Sequence, residues 1–393
     1  TQGHHFHTDL AVYKEFDDRG IPTSILGHRE VEPQIRSTIP VIPFFRSIAY
    51  PKRDGQDCGN LRANFDTYNQ MVYEDLMTYE FPPFESEDLI LVPTARDIHL
   101  SGLYKWYEQL KDPKPRICIR LMFPPEFRSE PSERELAVEL STRQLREWRT
   151  LPSDKLIFAS ESDELSEIYE KLCEKTPITL PLIVRYPLSK RDHVINQNLQ
   201  SPKHFVVLGE ARKEKGAHLI PDAFRKLFLM YSDIKLTVQT SCLYDIDDDF
   251  IENLQQLSPQ VEFQTEALHE ESYDKCLRSA DVVLLPYDPT FYAKRTSLIF
   301  LEAAGAGIPI LTTAGTWMQS EMQRLGLDGT FIERFDSQSI SEAVVKMMND
   351  WPGTLSNSVR MQDALRKNHN PTNFVDSILD ICDTRLLQKT VSA

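Results

Sequence analysis

A basic loop bounded by two glycines follows a short apolar segment near the middle of the chain. Phe205–Leu208 is apolar, Gly209 follows it directly, and Arg212 and Lys215 precede the next glycine, Gly216. Glycine lets the backbone turn sharply after a strand, and the N-terminus of a following helix attracts anions. The spacing therefore predicts that Arg212 and Lys215 clamp a diphosphate. The alternative is a solvated turn of mixed charge, because acidic residues alternate with the basic ones.

A second basic loop lies about 80 residues later. Asp281–Leu285 has the composition of a buried strand, and Lys294 and Arg295 come just before Thr296 and Ser297, two residue types that cap helices. Open α/β sheets bind their ligands at the carboxyl ends of the strands. This loop therefore predicts a second anion-binding helix N-terminus.

Glu302 is the only charged residue between Thr296 and Ser320. A carboxylate in so apolar a segment needs a partner or a ligand hydroxyl, because burying it bare costs several kcal/mol. The alternative is a structural ion pair with an arginine elsewhere.

Predicted strands and helices alternate around these loops. In the second half, the expected strands are His204–Leu208, Ile234–Gln239, Val261–Gln264, Asp281–Leu285 and Ile308–Thr312, and the expected helices are 219–228, Glu270–Ser279, Ser297–Ala306 and Ala343–Met348, the last introduced by a capping box at Ser339–Glu342. In the first half, a helix ends at Gly20, strands are expected at Ile21–Leu26, Asp88–Val92, Arg116–Met122 and Leu156–Ala159, and helices at Ser101–Leu110, Leu140–Arg149 and Glu164–Glu174. Glu30–Pro83 lacks clear periodicity and is interpreted as a functional insertion or lid.

Repeated βα units predict an α/β fold with parallel sheets covered by helices on both faces. We expect two Rossmann-like domains that face each other across a cleft. The predicted boundaries are an N-terminal, acceptor-side domain at 1–186, a polar linker at 187–203, a C-terminal ligand-binding domain at 204–370, and a C-terminal helix at 371–393 that crosses back to the first domain.

The two loops together resemble GT-B type nucleotide-sugar glycosyltransferases, in particular the retaining family 4 (glycosyl transferases group 1). The matching features are the glycine loop ending in Lys215-Gly216, a strand ending at Pro286, Glu302 as the second glutamate of a Glu-x7-Glu pattern, and the strand start Gly307-Ile308-Pro309. In the first half, Gly3–His7 is similar to the glycine loop after the family's first strand, and Gly20–Pro22 to the turn into its second.

This resemblance implies a nucleoside diphosphate sugar as substrate, no cofactor, no metal, and transfer with retention to a glycan, lipid-linked or small-molecule acceptor. The donor-binding residues that it implies are Gly3, Gly209, Arg212, Lys215, Arg295, Thr296, Ser297 and Glu302, with Glu302 on the ribose. Arg212 and Lys215 would act in catalysis by offsetting charge on the leaving diphosphate. His99 is a further catalytic candidate, and Asp97, His99 and Arg120 are candidates for the acceptor side.

Three departures from the family pattern leave other functions open. Lys294 occupies the position of the first glutamate, Glu210 occupies that of the usual arginine, and the family's first strand has no counterpart in the sequence. These departures favour a catalytically degenerate GT-B binding or scaffold protein as the alternative. A third hypothesis is a nucleotide-sugar epimerase of the same architecture.

Composition narrows the range of partners. The 393 residues contain 44 Lys+Arg against 59 Asp+Glu, a formal net charge of −15, which argues against a nucleic-acid partner because phosphate backbones demand a basic face. The six cysteines are scattered, as is typical of a reduced, intracellular protein. We therefore expect a cytoplasmic location, with peripheral contact to the inner face of a membrane left open. The acidic run Asp245–Asp249 is interpreted as a solvated loop rather than a metal site.

Overall fold

The structure is a computed structural model that describes residues 5–47, 58–127, 129, 131–184, 201–241, 243–247, 249–257, 259–266 and 268–391. The chain divides into two compact units. Unit 1 comprises 1–183 and 370–393, and unit 2 comprises 184–369. Most of the predicted linker, and Gly3 of the predicted glycine loop, lie outside the described residues.

Helices and strands alternate along both units. The helices are α1 (His5–Asp18), α2 (Pro33–Thr38), α3 (Leu61–Thr78), α4 (Asp97–Glu108), α5 (Arg134–Trp148), α6 (Asp163–Cys173), α7 (Ile220–Met230), α8 (Phe250–Gln255), α9 (Glu270–Ser279), α10 (Pro289–Tyr292), α11 (Leu298–Gly305), α12 (Trp317–Arg324), α13 (Ser337–Asn349), α14 (Trp351–Asn368) and α15 (Pro371–Val391). The strands are β1 (Ile25–His28), β2 (Val41–Phe45), β3 (Leu89–Ala95), β4 (Arg116–Leu121), β5 (Leu156–Ser160), β6 (Ile178–Thr179), β7 (His204–Val207), β8 (Ala211–Arg212), β9 (Lys235–Gln239), β10 (Leu243–Tyr244), β11 (Val261–Gln264), β12 (Val282–Leu285), β13 (Ile310–Thr313) and β14 (Phe331–Ile332).

Unit 1 is built on a parallel sheet in the order β3-β4-β5-β6, with β1 and β2 as a separate parallel pair. Every residue of β4 is buried, because side chains alternate between the two faces of a strand and each face carries a core. Ile117, Ile119 and Leu121 pack in a core with residues of α3 to α6. Cys118 packs in the other core, which contains residues of α1 and α15.

Unit 2 contains the sheet β11-β9-β7-β12-β13-β14, in which every neighbouring pair is parallel. When the six strands of this sheet are numbered in chain order, with the separate pair β8 and β10 left out, the order is 3-2-1-4-5-6, the arrangement of the doubly wound Rossmann fold. The order reverses between β7 and β12. In open α/β sheets, that reversal opens a crevice at the carboxyl ends of the strands, where ligands bind.

The expectation that Glu30–Pro83 is irregular is wrong, because this segment contains α2, β2 and the 18-residue helix α3. Asn60 caps α3, its side chain accepting a hydrogen bond from the Ala63 N–H at 2.8 Å. The buried apolar residues Phe65, Tyr68, Val72 and Leu76 follow helical spacing. Asn64, Asn69 and Asp75 are also buried and interrupt the apolar pattern, which explains why periodicity alone missed the helix.

The structure also moves several predicted boundaries. The proposed capping box at Ser339–Glu342 is wrong, because Asp336 caps α13 by accepting a hydrogen bond from the Ser339 N–H at 2.6 Å. Helix α4 begins at Asp97, four residues before its predicted start, and α5 begins at Arg134, six residues before its predicted start. Strand β1 begins at Ile25 rather than at residue 21.

Candidate functional site

The two basic loops of unit 2 emerge from neighbouring strands. Strand β7 precedes the loop at 208–216 and β12 precedes the loop at 286–297, and these strands pair in parallel with Phe205 opposite Val282. The carboxyl ends of adjacent parallel strands lie at the same edge of a sheet. The loops therefore meet where the strand order reverses.

The first loop requires both of its glycines. Gly209 has a φ of +92° and Gly216 a φ of +70°, in the region that L-residues with a side chain rarely adopt. A Cβ at Gly216 would lie 2.1 Å from the Pro286 carbonyl oxygen, so the two loops touch through backbone at this point. Two 3₁₀ turns, Lys213–Lys215 and Ala217–Leu219, connect this loop to α7, which begins one residue after its predicted start.

Glu214 joins the two loops through a bridging ion pair. Its Oε1 lies 3.3 Å from Nη1 of Arg212 and its Oε2 lies 3.0 Å from Nη1 of Arg295. Arg212 also pairs with Glu210, the residue that replaces the arginine usual in the family pattern. The loop is thus not simply a solvated turn, because the side chains of Arg212, Glu214 and Arg295 are each less than a fifth exposed.

Lys215 is the cation of this loop that forms no hydrogen bond or ion pair with the residues the structure describes. It is half-buried, and its Nζ lies 5.7 Å from the centroid of the Tyr287 ring. Burial, together with the nearby guanidinium of Arg212, lowers the pKa of Lys215 from 10.5 to about 8, against the opposing effect of the glutamates. Binding of an anion beside this amine is favourable, because it offsets the cost of burying an unpaired positive charge.

The second loop presents polar groups before α11. Ser297 caps this helix, its Oγ accepting a hydrogen bond from the Phe300 N–H at 3.3 Å, and Thr296 directly precedes the cap. The guanidinium of Arg295 lies 5.5 Å from the ring centroids of both Phe291 and Tyr292, within cation–π range. Lys294 is exposed.

Glu302 on α11 is buried, with 8% of its surface exposed. Its Oε2 accepts a hydrogen bond of 2.6 Å from the hydroxyl of Tyr273 on α9. The sequence left a ligand hydroxyl or an arginine open as partners and missed Tyr273, since nothing in the pattern of α9 marks this tyrosine. The pairing depends on tertiary structure alone.

Two aspartates of the acidic run after β9, Asp245 and Asp247, contact Lys213 of the first loop. Asp245 accepts a hydrogen bond from the Lys213 N–H at 2.9 Å, and Asp247 pairs with Lys213 Nζ at 2.8 Å. Gln239, at the end of β9, accepts a hydrogen bond from the Gly209 N–H at 2.8 Å. The segment that the sequence suggested to be merely solvated therefore helps to fix the loop.

In unit 1, Asp97 begins α4 directly after β3 and lines a small pocket. Its carboxylate lies 3.7 Å from Arg96 Nη2 and is 8% exposed. Burial raises the pKa of Asp97, and the charge of Arg96 opposes that rise. The pocket is also lined by Tyr169 and by Phe123 and Phe127, whose rings stack with centroids 4.1 Å apart.

The structure separates Arg120 from this pocket. Arg120 is only 3% exposed, pairs with Glu161 at 2.6 Å, and lies 5.5 Å from the ring centroid of Phe374. It is on the face of β4 opposite to Leu121, which lines the Asp97 pocket. Burial raises the pKa of Asp9 on α1 to about 6, with the charge of Arg120 opposing. Arg120 thus belongs to a buried ionic cluster.

His99 lies on α4, two residues after Asp97, and is half-buried. Its backbone N–H donates to the Arg96 carbonyl at 2.9 Å.

Two further observations concern metals and membranes. Among the residues that the structure describes, no group of three His, Cys, Asp or Glu side chains is placed to hold a metal ion. Over the same residues, no helix combines the length and apolar character needed to span a bilayer.

Comparison with known proteins gives a family match and a fold match. Residues 189–369 match the sequence model of the family described as "Glycosyl transferases group 1". A search of curated proteins finds no significant match. Similar solved structures include sucrose-phosphate synthase from Thermosynechococcus elongatus (TM-score 0.63, 12% identity, 97% of this chain and 92% of that chain covered) and a glycosyltransferase from Rickettsia africae (TM-score 0.65, 11% identity, 98% and 96% covered). A UDP-forming α,α-trehalose-phosphate synthase from Burkholderia xenovorans is also similar (TM-score 0.55, 13% identity, 86% and 79% covered). These likenesses show the GT-B fold with its two Rossmann-like domains.

Proposed function

We propose, from the match of residues 189–369 to the model of the glycosyl transferases group 1 family, that this chain transfers a sugar from a nucleoside diphosphate sugar to an acceptor. The observation that carries the proposal is the pair of cationic loops at the point where the strand order of unit 2 reverses. The family match covers the unit that contains both loops.

The diphosphate of the donor would bind between these loops. Lys215 supplies a positive charge without a counter-ion among the described residues, and Arg212 and Arg295 are held beside it by Glu214. Cationic groups fixed in advance stabilise charge that develops on a leaving diphosphate, and such stabilisation is usually the largest single contribution to catalysis. This arrangement favours metal-independent transfer.

Glu302 would bind the ribose of the donor through its hydroxyl groups. Its burial and its position on α11, directly after the second cationic loop, suit a carboxylate that accepts hydrogen bonds from a neutral ligand. A charge-assisted hydrogen bond of this kind contributes about 1.5–3 kcal/mol. Glu302→Gln should therefore weaken nucleotide affinity about tenfold or more.

We assign the acceptor to unit 1, where Asp97 and His99 follow β3. The acceptor is a glycan, a lipid-linked sugar or a small molecule, and transfer proceeds with retention, without an assigned protein nucleophile. Arg120 would act only indirectly, because its guanidinium is buried against Glu161. A cytoplasmic location is part of the proposal, and the five described cysteines are all free thiols.

The test has a binding step and a turnover step. Calorimetric titration with uridine, guanosine and adenosine diphosphates measures binding. Release of the nucleoside diphosphate from the matching nucleotide-sugar measures turnover. Binding together with release supports the proposal. Binding without release under any acceptor condition favours a degenerate binding protein, and conversion of the donor's sugar without release favours an epimerase. Absence of binding to all three nucleotides overturns the proposal.

Glu302→Gln and a control, Glu252→Gln, complete this experiment. Glu252 is exposed on α8, so its substitution should leave nucleotide affinity within about twofold of wild type. A folded Glu302→Gln protein that retains wild-type affinity contradicts the assignment of the ribose.

A further inference from the structure

The hydrogen bond between Tyr273 and Glu302 links two helices that follow different strands. Tyr273 is the fourth residue of α9, after β11, and Glu302 is the fifth residue of α11, after β12. The Oη–Oε2 distance is 2.6 Å. This length is typical of a hydroxyl that donates to an ionised carboxylate, which forms a shorter and stronger hydrogen bond than a neutral pair.

The bond restrains the carboxylate of Glu302. A glutamate side chain has three rotatable bonds, and fixing it only when a ligand arrives costs conformational entropy. The rest of α11 is Leu298–Leu301 and Ala303–Gly305, and these residues carry no charged group that could hold the carboxylate. Tyr273, on a separate helix, supplies a hydroxyl donor, and the rigid aromatic ring fixes the position of this hydroxyl.

We infer that Tyr273 is a positioning residue that holds the carboxylate of Glu302 ready for the hydroxyl groups of the nucleotide's ribose. The inference rests on the proposed function, in which Glu302 binds the ribose. Tyr273 would act on the ligand only through Glu302. Its loss should therefore weaken the recognition of ribose hydroxyls and leave the recognition of the diphosphate unchanged.

The experiment compares two probes on the same proteins. The first probe is whichever of uridine, guanosine and adenosine diphosphate binds the wild type most tightly, and the second is its 2′,3′-dideoxy analogue, which lacks the hydroxyls. Tyr273→Phe should weaken the ribonucleotide by about tenfold, the equivalent of one hydrogen bond to a charged group. The affinity for the dideoxy analogue should stay within about twofold of wild type.

A double mutant tests whether the effect passes through Glu302. In a Glu302→Gln background, Tyr273→Phe should cause less than about a twofold further loss, because residues that act as a pair are not additive. The control is Tyr107→Phe, which removes a buried hydroxyl that donates to the Pro115 carbonyl at 2.6 Å in unit 1. This control should lower thermal stability and leave both affinities unchanged.

The outcomes separate the inference from the proposed function. Equal losses of affinity for the two probes would mean that Tyr273 supports the structure of the unit rather than ribose recognition. An unchanged ribonucleotide affinity would mean that Tyr273 has no part in binding. Either result overturns the inference and leaves the proposed function standing. A wild-type protein that binds none of the three nucleotides overturns the proposed function and the inference with it.

Discussion

Replacing Lys215 by methionine should make the protein more stable and impair ligand binding. Methionine keeps the length of the side chain and removes the charge. The pKa of Lys215 is lowered by burial, and also by Arg212, from 10.5 to about 8. A difference of about 2.5 in pKa corresponds to about 3.5 kcal/mol by which folding disfavours the protonated amine, at about 1.4 kcal/mol per pKa unit. Because the side chain is only half-buried, we expect a gain of about 1–3 kcal/mol in the free energy of unfolding.

The dependence of this gain on pH follows from the sign of the pKa change. Below about pH 8, Lys215 is protonated in both the folded and the unfolded chain, and the full penalty is present. Between about pH 8 and pH 10.5 the folded protein releases the proton first, so the stability of the wild type rises with pH. The advantage of Lys215→Met should therefore be constant up to about pH 8 and disappear towards pH 10.5. Calorimetric unfolding across this range measures it.

The affinity of the wild type for nucleotide should fall as the pH rises, whereas its stability rises. A bound diphosphate favours the protonated amine, so the wild-type affinity should fall by up to about tenfold per unit above pH 8. Titrations above about pH 7.5 keep the terminal phosphate, with its pKa of about 6, fully ionised. Lys215→Met should bind about 10–100-fold more weakly at neutral pH and show no such fall.

The matched control is Lys346→Met, on the exposed surface of α13. It removes the same charge from unit 2 and should change neither the affinity nor its dependence on pH. If Lys215→Met matches this control in both stability and affinity, then burial of the protonated amine does not destabilise the protein and Lys215 is not part of the diphosphate site. That result would refute both expectations.

Three further predictions concern the same unit. Glu214→Gln should weaken diphosphate affinity about fivefold, because the ion pairs that join Arg212 to Arg295 through this carboxylate are lost. Calorimetric titration measures the change, and an unchanged affinity would contradict a bridging role. Burial alone raises the pKa of Glu321, but hydrogen bonds from His369 and Arg324 outweigh it and lower the pKa to about 2. The stabilisation by Glu321 is therefore present above about pH 4.5 and lost as the pH falls towards 2, so Glu321→Gln should lower the unfolding temperature at neutral pH and match wild type near pH 2. Lys294→Glu should change the Michaelis constant for the nucleotide-sugar about fivefold, with nucleoside diphosphate affinity nearly constant; equal changes in both would place Lys294 near the phosphates rather than the sugar.

Features of the site that depend on contiguous residues could be predicted from the sequence. Gly209 and Gly216 bound the first loop, and Ser297 caps α11, because backbone conformation and capping are decided within a few residues. The alternation of strands and helices, and with it the α/β class, is also local in origin. Helix α3 shows the limit of this reasoning, since buried polar residues such as Asn69 and Asp75 interrupted its apolar periodicity.

The resemblance to a glycosyltransferase family predicted the roles of those residues that match the motifs of the family. Those roles stay predictions, and Arg120 shows why residue type alone is insufficient. A basic residue at the end of a strand looked available for an acceptor, but strand alternation turns its side chain into a core with Phe374 and Glu161.

Contacts between distant residues were decided by tertiary structure alone. Glu214 meets Arg295, 81 residues later, and Tyr273 meets Glu302, 29 residues later, because the strand order 3-2-1-4-5-6 places particular loops and helices side by side. A sequence pattern specifies which face of an element is apolar but not which element packs against that face. The sequence thus determined the two loops and the charges they carry. Strand order determined which of those charges are paired, and it left the half-buried Lys215 without a partner among the described residues.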